Sequence, residues 1–99
     1  MITYAILAKI AKNGPAVTTW ARQITELVAK KTGVTSNALT RLGGPMDILF
    51  VSQYEDLAAF EKGQAALLTD PDYIKLIESA QSQGLFVPGS IDTAFWRPV

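Results

Sequence analysis

The order of extended and helical patterns along these 99 residues predicts an α+β fold: a four-stranded antiparallel sheet with its helices on one face. Three observations carry this reading. β-prone runs open and close the chain, two more flank Gly43-Gly44-Pro45, and a stretch with helical spacing lies on either side of that central pair.

From Ile2 to Ala11 the residues are β-branched, aromatic or small. Extended, the segment places Ile2, Tyr4, Ile6, Ala8 and Ile10 on one face and Thr3, Ala5, Leu7 and Lys9 on the other. Both faces are largely apolar, as in strands covered on both sides. Asn13-Gly14-Pro15 breaks the pattern, with Asn13 as a cap and Pro15 suited to a helix start. A helix to about Thr32 follows, because Val17, Trp20, Ala21, Ile24, Leu27 and Val28 recur at three- and four-residue spacing opposite Arg22, Gln23, Glu26 and Lys30. Lys30 and Lys31 suit the negative end of its dipole, and Gly33 is placed to close it in the left-handed conformation.

Val34 to Leu42 reads as the second strand, and Met46 to Val51 as the third, the two forming a hairpin. A three-residue loop sets Arg41 against Asp47 and Leu39 against Leu49, while a two-residue loop sets Thr40 against Asp47. Pairing of opposite charges favours the longer loop. Two helix-start signals then overlap: a capping box from Ser52 to Glu55, and Asp56 as a cap before Leu57. Leu57, Phe60, Leu67 and Leu68 are expected on the buried side of this helix, with Gly63 weakening its middle. Thr69-Asp70-Pro71 starts a second helical piece carrying Tyr73, Ile74 and Ile77, and Gly84 ends it. After an apolar loop from Leu85 to Gly89, Ser90 to Arg97 reads as the last strand, Ile91, Thr93 and Phe95 alternating with Asp92, Ala94 and Trp96.

Strand, helix, strand, strand, helix, strand is the βαββαβ order of ferredoxin-like folds. Two crossover helices cover one side of such a sheet, yet the first and third strands, central in this topology, are apolar on both. Ile48 and Phe50 point one way, Leu49 and Val51 the other. Parity does not say which set meets the helices, but either one left in water would be a patch that monomers seldom expose. The expected solution is a two-fold homodimer, sheet face against sheet face.

Composition excludes much. There is no cysteine and no histidine, so thiolate nucleophiles, disulfides, imidazole bases and the usual zinc, iron–sulfur and haem ligands are absent from the chain. Ser36, Ser52 and Ser90 lack a histidine to activate them. Nine basic residues balance nine acidic ones, scattered singly and in pairs, which argues against nucleic acid as a partner. Lys9 interrupts the N-terminal apolar run before it could act as a signal sequence or membrane span, so neither is expected and the cytoplasm is the expected compartment. A chain of this length buries roughly 65% of its unfolded surface, enough for one core, hence one domain over residues 1–99.

Trp20 to Lys31 in the first helix, Gly43-Gly44 in the hairpin, the run from Val51 to Glu61, Asp70-Pro71-Asp72-Tyr73, and Pro88-Gly89-Ser90 before the last strand give a pattern over nearly the whole chain. It resembles the dimeric α+β barrel superfamily, NIPSNAP-like and antibiotic-biosynthesis-monooxygenase-like small proteins in particular. The resemblance implies two sheets packed into a barrel, with pockets between sheet and helices. It also implies a range of activities, from cofactor-independent oxygenation of polycyclic aromatic or quinol substrates to haem degradation and lactone isomerisation. Haem-using members rely on a histidine that this chain lacks, so no cofactor is expected.

An apolar pocket with a few polar groups would draw on Tyr4, Trp20, Tyr54, Trp96, Asn13, Asn37 and Arg41. Trp20, on the buried stripe of its helix, serves equally as core or pocket wall. Asp47 stands in an apolar strand where a charge is costly unless paired. Burial would suit it as a general base, whereas pairing with Arg41 would make it a structural bridge. Asp70 and Asp72 are explained as a helix cap and a first-turn acid without a metal. The candidate ligand-binding residues are therefore Tyr4, Trp20, Arg41, Asp47, Tyr54 and Trp96. Two functions are open: a homodimer binding a small, mostly apolar or aromatic molecule, with cofactor-independent oxygenation or isomerisation as its enzymatic form, or a non-catalytic interaction protein whose barrel is filled by Leu7, Leu49, Phe50 and Phe95.

Overall fold

Strand β1 (Ile2–Lys9) keeps its apolar alternation to the end and lies in the middle of the sheet. The structure, a computed structural model, describes residues 1–11, 14–44 and 46–99. The expected Asn13 cap and the third residue of the hairpin loop, Pro45, lie outside the described residues. The remaining elements are α1 (Gly14–Thr32), β2 (Ser36–Thr40), β3 (Asp47–Tyr54), α2 (Leu57–Leu68), α3 (Pro71–Gln83) and β4 (Asp92–Trp96). All pairings are antiparallel and the strand order is β2-β3-β1-β4, the ferredoxin-like arrangement.

The hairpin takes the charge-pairing register. Leu39 faces Leu49, the Arg41 N–H donates to the Asp47 carbonyl at 3.2 Å, and the side chains of Arg41 and Asp47 meet at 3.0 Å. Strand β3 runs three residues further than its apolar stretch suggests. Ser52, Gln53 and Tyr54 pair with Tyr4, Thr3 and Ile2, because β1 offers backbone groups there that must be satisfied. This removes the Ser52 capping box: the Ser52 hydroxyl instead donates to Ser36 Oγ at 3.1 Å across the sheet. The Asp56 cap is the one used, its carboxylate accepting from Ala59 N–H at 2.8 Å. Strand β1 in turn is shorter than expected, Ile10 forming only a bridge to Phe86.

The core lies between the sheet and α1 and α3, where Val17, Trp20, Ala21 and Ile24 meet Ala8, Ile48, Ala80 and Leu85. Gly33 and Gly84 close α1 and α3 with positive φ, as their positions suggest. Helix α2 differs from expectation. Leu67 is buried, but Leu57 and Leu68 are 56% and 60% exposed, because α2 lies toward one end of the sheet and offers only a narrow stripe to it. Ile74 is exposed as well. Gly63 is a spacer as much as a weak point, since a Cβ there would lie 3.3 Å from the Tyr54 ring and 3.5 Å from Thr32 Cγ2.

Residues facing the helices are Tyr4, Ile6 and Ala8 on β1, Ile48, Phe50, Ser52 and Tyr54 on β3, and Phe95 on β4, all of one parity. The other face carries Ala5, Leu7, Leu49, Val51, Leu39, Ala94 and Trp96 in adjoining rows. Among the described residues no helix belongs to that row.

Lys31, at the end of α1, reaches the start of α3, 3.0 Å from Asp70 and 3.7 Å from Asp72. Asp70 also caps α3, accepting from the N–H groups of Asp72 and Tyr73 at 2.9 and 3.1 Å. The Lys31 hydrogen bond, then the Tyr73 N–H, hold the Asp70 carboxyl below its ordinary value. A lowered folded-state pKa contributes stability above the ordinary carboxylate range and loses it as pH falls through the lowered value. Lys31→Ala is therefore expected to lower the unfolding midpoint at neutral pH, with the difference from the wild type shrinking as pH falls through the lowered Asp70 value. Thermal unfolding followed from neutral pH into acid checks this; a deficit that does not shrink in acid would place the role of Lys31 in packing.

Candidate binding cavity

Between the sheet and the three helices is a cavity of about 610 Å³. Its floor is the helix-facing row of the sheet, with Tyr4, Ile6, Ala8, Phe50, Ser52 and Tyr54. Trp20, Ile24 and Val28 of α1 and Tyr73, Ile77 and Ala80 of α3 form walls, and the segment from Phe86 to Gly89 closes one end. That segment is pinned to β1: the Val87 N–H donates to the Lys9 carbonyl at 2.9 Å, and the Ser90 hydroxyl accepts from Lys9 N–H at 3.1 Å and donates to the Val87 carbonyl at 2.7 Å.

Two aromatic groups frame the space. Trp20 packs edge-on against Phe50 and Phe86 with centroids 5.8 and 5.4 Å away, and its indole N–H donates to the Leu76 carbonyl at 2.7 Å. Trp20 is thus both core and cavity wall, fixed in place by its one polar atom. Toward the other end Tyr4 lies 4.7 Å from Phe60 and 5.0 Å from Phe95, and Tyr54 meets Phe60 edge-on at 5.3 Å.

Three phenol groups reach the cavity from three elements: Tyr4 from β1, Tyr54 from β3 and Tyr73 from α3. Burial raises the pKa of each. Tyr54 is raised further by Tyr4 and Tyr73, and Tyr73 by Tyr4, so the three hydroxyls sense one another's charge. All three are neutral at physiological pH, and none is hydrogen-bonded to a described residue. Such a site can bind an apolar body and offer donors to an oxygen on it.

Of the residues singled out from sequence, Tyr4, Trp20 and Tyr54 meet in this cavity. Arg41 and Asp47 lie on the opposite face of the sheet, where with Leu7, Leu39 and Leu49 they border a hollow of about 190 Å³. Asp47 is 7% exposed, and its Oδ1 has no hydrogen-bond partner while Oδ2 meets Arg41. Trp96, 64% exposed, stands on that same face at the β4 edge, and Asn37 faces Val51 there. Asp70 and Asp72 hold Lys31. Sequence reasoning missed Tyr73, Gln64 and Gln81 as cavity residues. Tyr73 has the spacing of ordinary helix packing; the sheet register sets Tyr4 diagonally from Tyr54, and the packing of α3 over the sheet brings the third phenol to the same cavity.

Residues 1–93 match the family model NIPSNAP. No curated protein matches the chain. Among solved structures, a NIPSNAP family protein of unknown function from Agrobacterium tumefaciens is 17% identical, with 100% of this chain and 88% of that one covered and a TM-score of 0.81. An uncharacterized NIPSNAP domain protein from Burkholderia xenovorans is 13% identical, with coverage of 100% and 95% and a TM-score of 0.80. SnoaB, a cofactor-independent oxygenase from Streptomyces nogalater crystallised as a point mutant, is 10% identical, with coverage of 98% and 91% and a TM-score of 0.74. These likenesses concern the fold. No helix among the described residues is long and apolar enough to cross a membrane.

Proposed function

The chain belongs to the NIPSNAP family, and from that premise we propose that it is a homodimer that binds a small, mostly apolar molecule between sheet and helices. The observation that carries this reading is the cavity of about 610 Å³, lined by Trp20, Phe50 and Phe86 at one end and by three neutral phenols at the other. A packed interior would have left no such space. Tyr4, Trp20 and Tyr54 are its binding residues. Arg41, Asp47 and Trp96 serve the other half of the proposal, the sheet face that closes on a second copy.

Any chemistry here is of one kind. The phenols donate hydrogen bonds to a carbonyl oxygen of the bound molecule and polarise it, and no carboxylate or lysine lines the cavity among the described residues to take a proton. The likeness to a cofactor-independent oxygenase makes direct reaction of the bound molecule with dioxygen the form to assay first. The whole proposal is tested by native mass spectrometry of freshly purified protein. A dimer is expected, carrying additional mass of a small organic molecule. A monomer at micromolar concentration contradicts the dimer, and a structure of the dimer with the cavity occupied by its own side chains contradicts the binding.

A further inference from the structure

We propose that the cavity selects uncharged ligands carrying an oxygen acceptor, a carbonyl on an aromatic or alicyclic frame, with that oxygen placed among the hydroxyls of Tyr4, Tyr54 and Tyr73, and that it rejects carboxylates and other anions of the same shape. This rests on the binding reading above and names the class of ligand.

Two observations lead to it. No Lys, Arg, Asp or Glu lines the cavity among the described residues, so an ion entering it sheds water and meets no opposite charge. Tyr54 is 3% exposed as a residue and lines the cavity, and its hydroxyl has no hydrogen-bond partner among the described residues. A donor on an otherwise buried residue, open to an apolar cavity, is satisfied by a ligand acceptor and left wanting by a hydrocarbon that displaces water from it. The neighbouring phenols point the same way: burial and their mutual influence raise the pKa of Tyr54 and Tyr73, which means that negative charge is disfavoured at the spot where the ligand's oxygen would lie. At the far end the edges of Trp20 and Phe86 fit a flat apolar frame.

Three probes of one shape test this by calorimetry at neutral pH: 2-acetonaphthone, 2-naphthoate and naphthalene. The ketone is expected to bind about tenfold or more tightly than the carboxylate, and about threefold to tenfold more tightly than the hydrocarbon. Tyr54→Phe is expected to bring the ketone down to the level of naphthalene. Naphthoate binding as tightly as the ketone overturns the inference while leaving the cavity reading intact. Failure of both the ketone and naphthalene to bind overturns the cavity reading itself. The comparison of probes on the wild-type protein stands whether or not the variant folds.

Discussion

Replacing Leu49 with lysine is expected to leave the protein monomeric at micromolar concentration, with its secondary structure intact. Leu49 sits on the face away from the helices, between Leu7 on β1 and Leu39 on β2, in the middle of the rows that also hold Ala5 and Val51. In the proposed dimer a two-fold axis through that face takes both lysines out of water, and of the carboxylates on the face Asp47 is already held by Arg41 while Asp92 lies on the edge strand β4, beyond Leu7. The expected weakening is at least about a hundredfold, or about 2.8 kcal/mol. The chain itself should tolerate the change, because Leu49 belongs to no helix-facing contact. Phe50→Lys gives the control of opposite parity. Phe50 packs against Trp20 and Phe86, so lysine there is expected to unfold the chain rather than to separate two folded ones. Light scattering and circular dichroism on the two variants distinguish these outcomes. A folded dimer of the Leu49 variant would move the interface elsewhere.

Trp20→Ala is expected to be the most damaging single truncation. The ring is almost fully buried, holds the Leu76 carbonyl of α3 with its indole N–H, and is the shared neighbour of Phe50 on the sheet and Phe86 in the closing segment. Its removal enlarges the cavity on the side where α1, α3 and β3 come together. Large aromatic truncations in cores cost about 3–5 kcal/mol, a large part of the roughly 5–15 kcal/mol that holds such a chain folded. Trp20→Phe retains most of the apolar contact and gives up the N–H bond, for a loss of about 1 kcal/mol. Urea unfolding measures both. A cost below about 1 kcal/mol for the alanine variant would mean that α3 is held by other contacts.

The fold was legible because each element announced itself locally. Alternation defined β1, the charge pair of Arg41 and Asp47 chose the hairpin register, and Asp56, Asp70, Gly33 and Gly84 marked helix ends by their own chemistry. What local chemistry could not give was the reach of β3. Ser52 to Tyr54 read as a helix start and became strand because β1 and β2 had backbone groups to pair there. The exposed Leu57 and Leu68 have the same origin, since burial depends on where α2 lands on the sheet rather than on its own spacing.

The candidate site was legible only in part. Tyr4, Trp20 and Tyr54 were recognisable as aromatic groups with a polar tip, but nothing in their spacing brings them together across strands β1 and β3 and helix α1. Sheet parity divides the six candidates: Arg41, Asp47 and Trp96 project from one side, the remaining sheet residues from the other. An alternating sequence shows that two faces exist, and only the packing of the helices tells which is covered. Phe50 and Phe95 illustrate this, being named with Leu7 and Leu49 as barrel filling and lying instead on the helix side.

The most direct measurement is a fluorescence titration of the neutral dye Nile red against the wild-type protein and against Thr93→Trp and Gln81→Trp. Both positions line the cavity and are exposed, so a large ring at either one obstructs the space without disturbing the core. Saturable binding of one dye per chain, weakened about tenfold or more by either substitution, is the expected result. Dye binding that ignores both substitutions, or none at all to the folded wild type, would contradict a ligand site between the sheet and the helices.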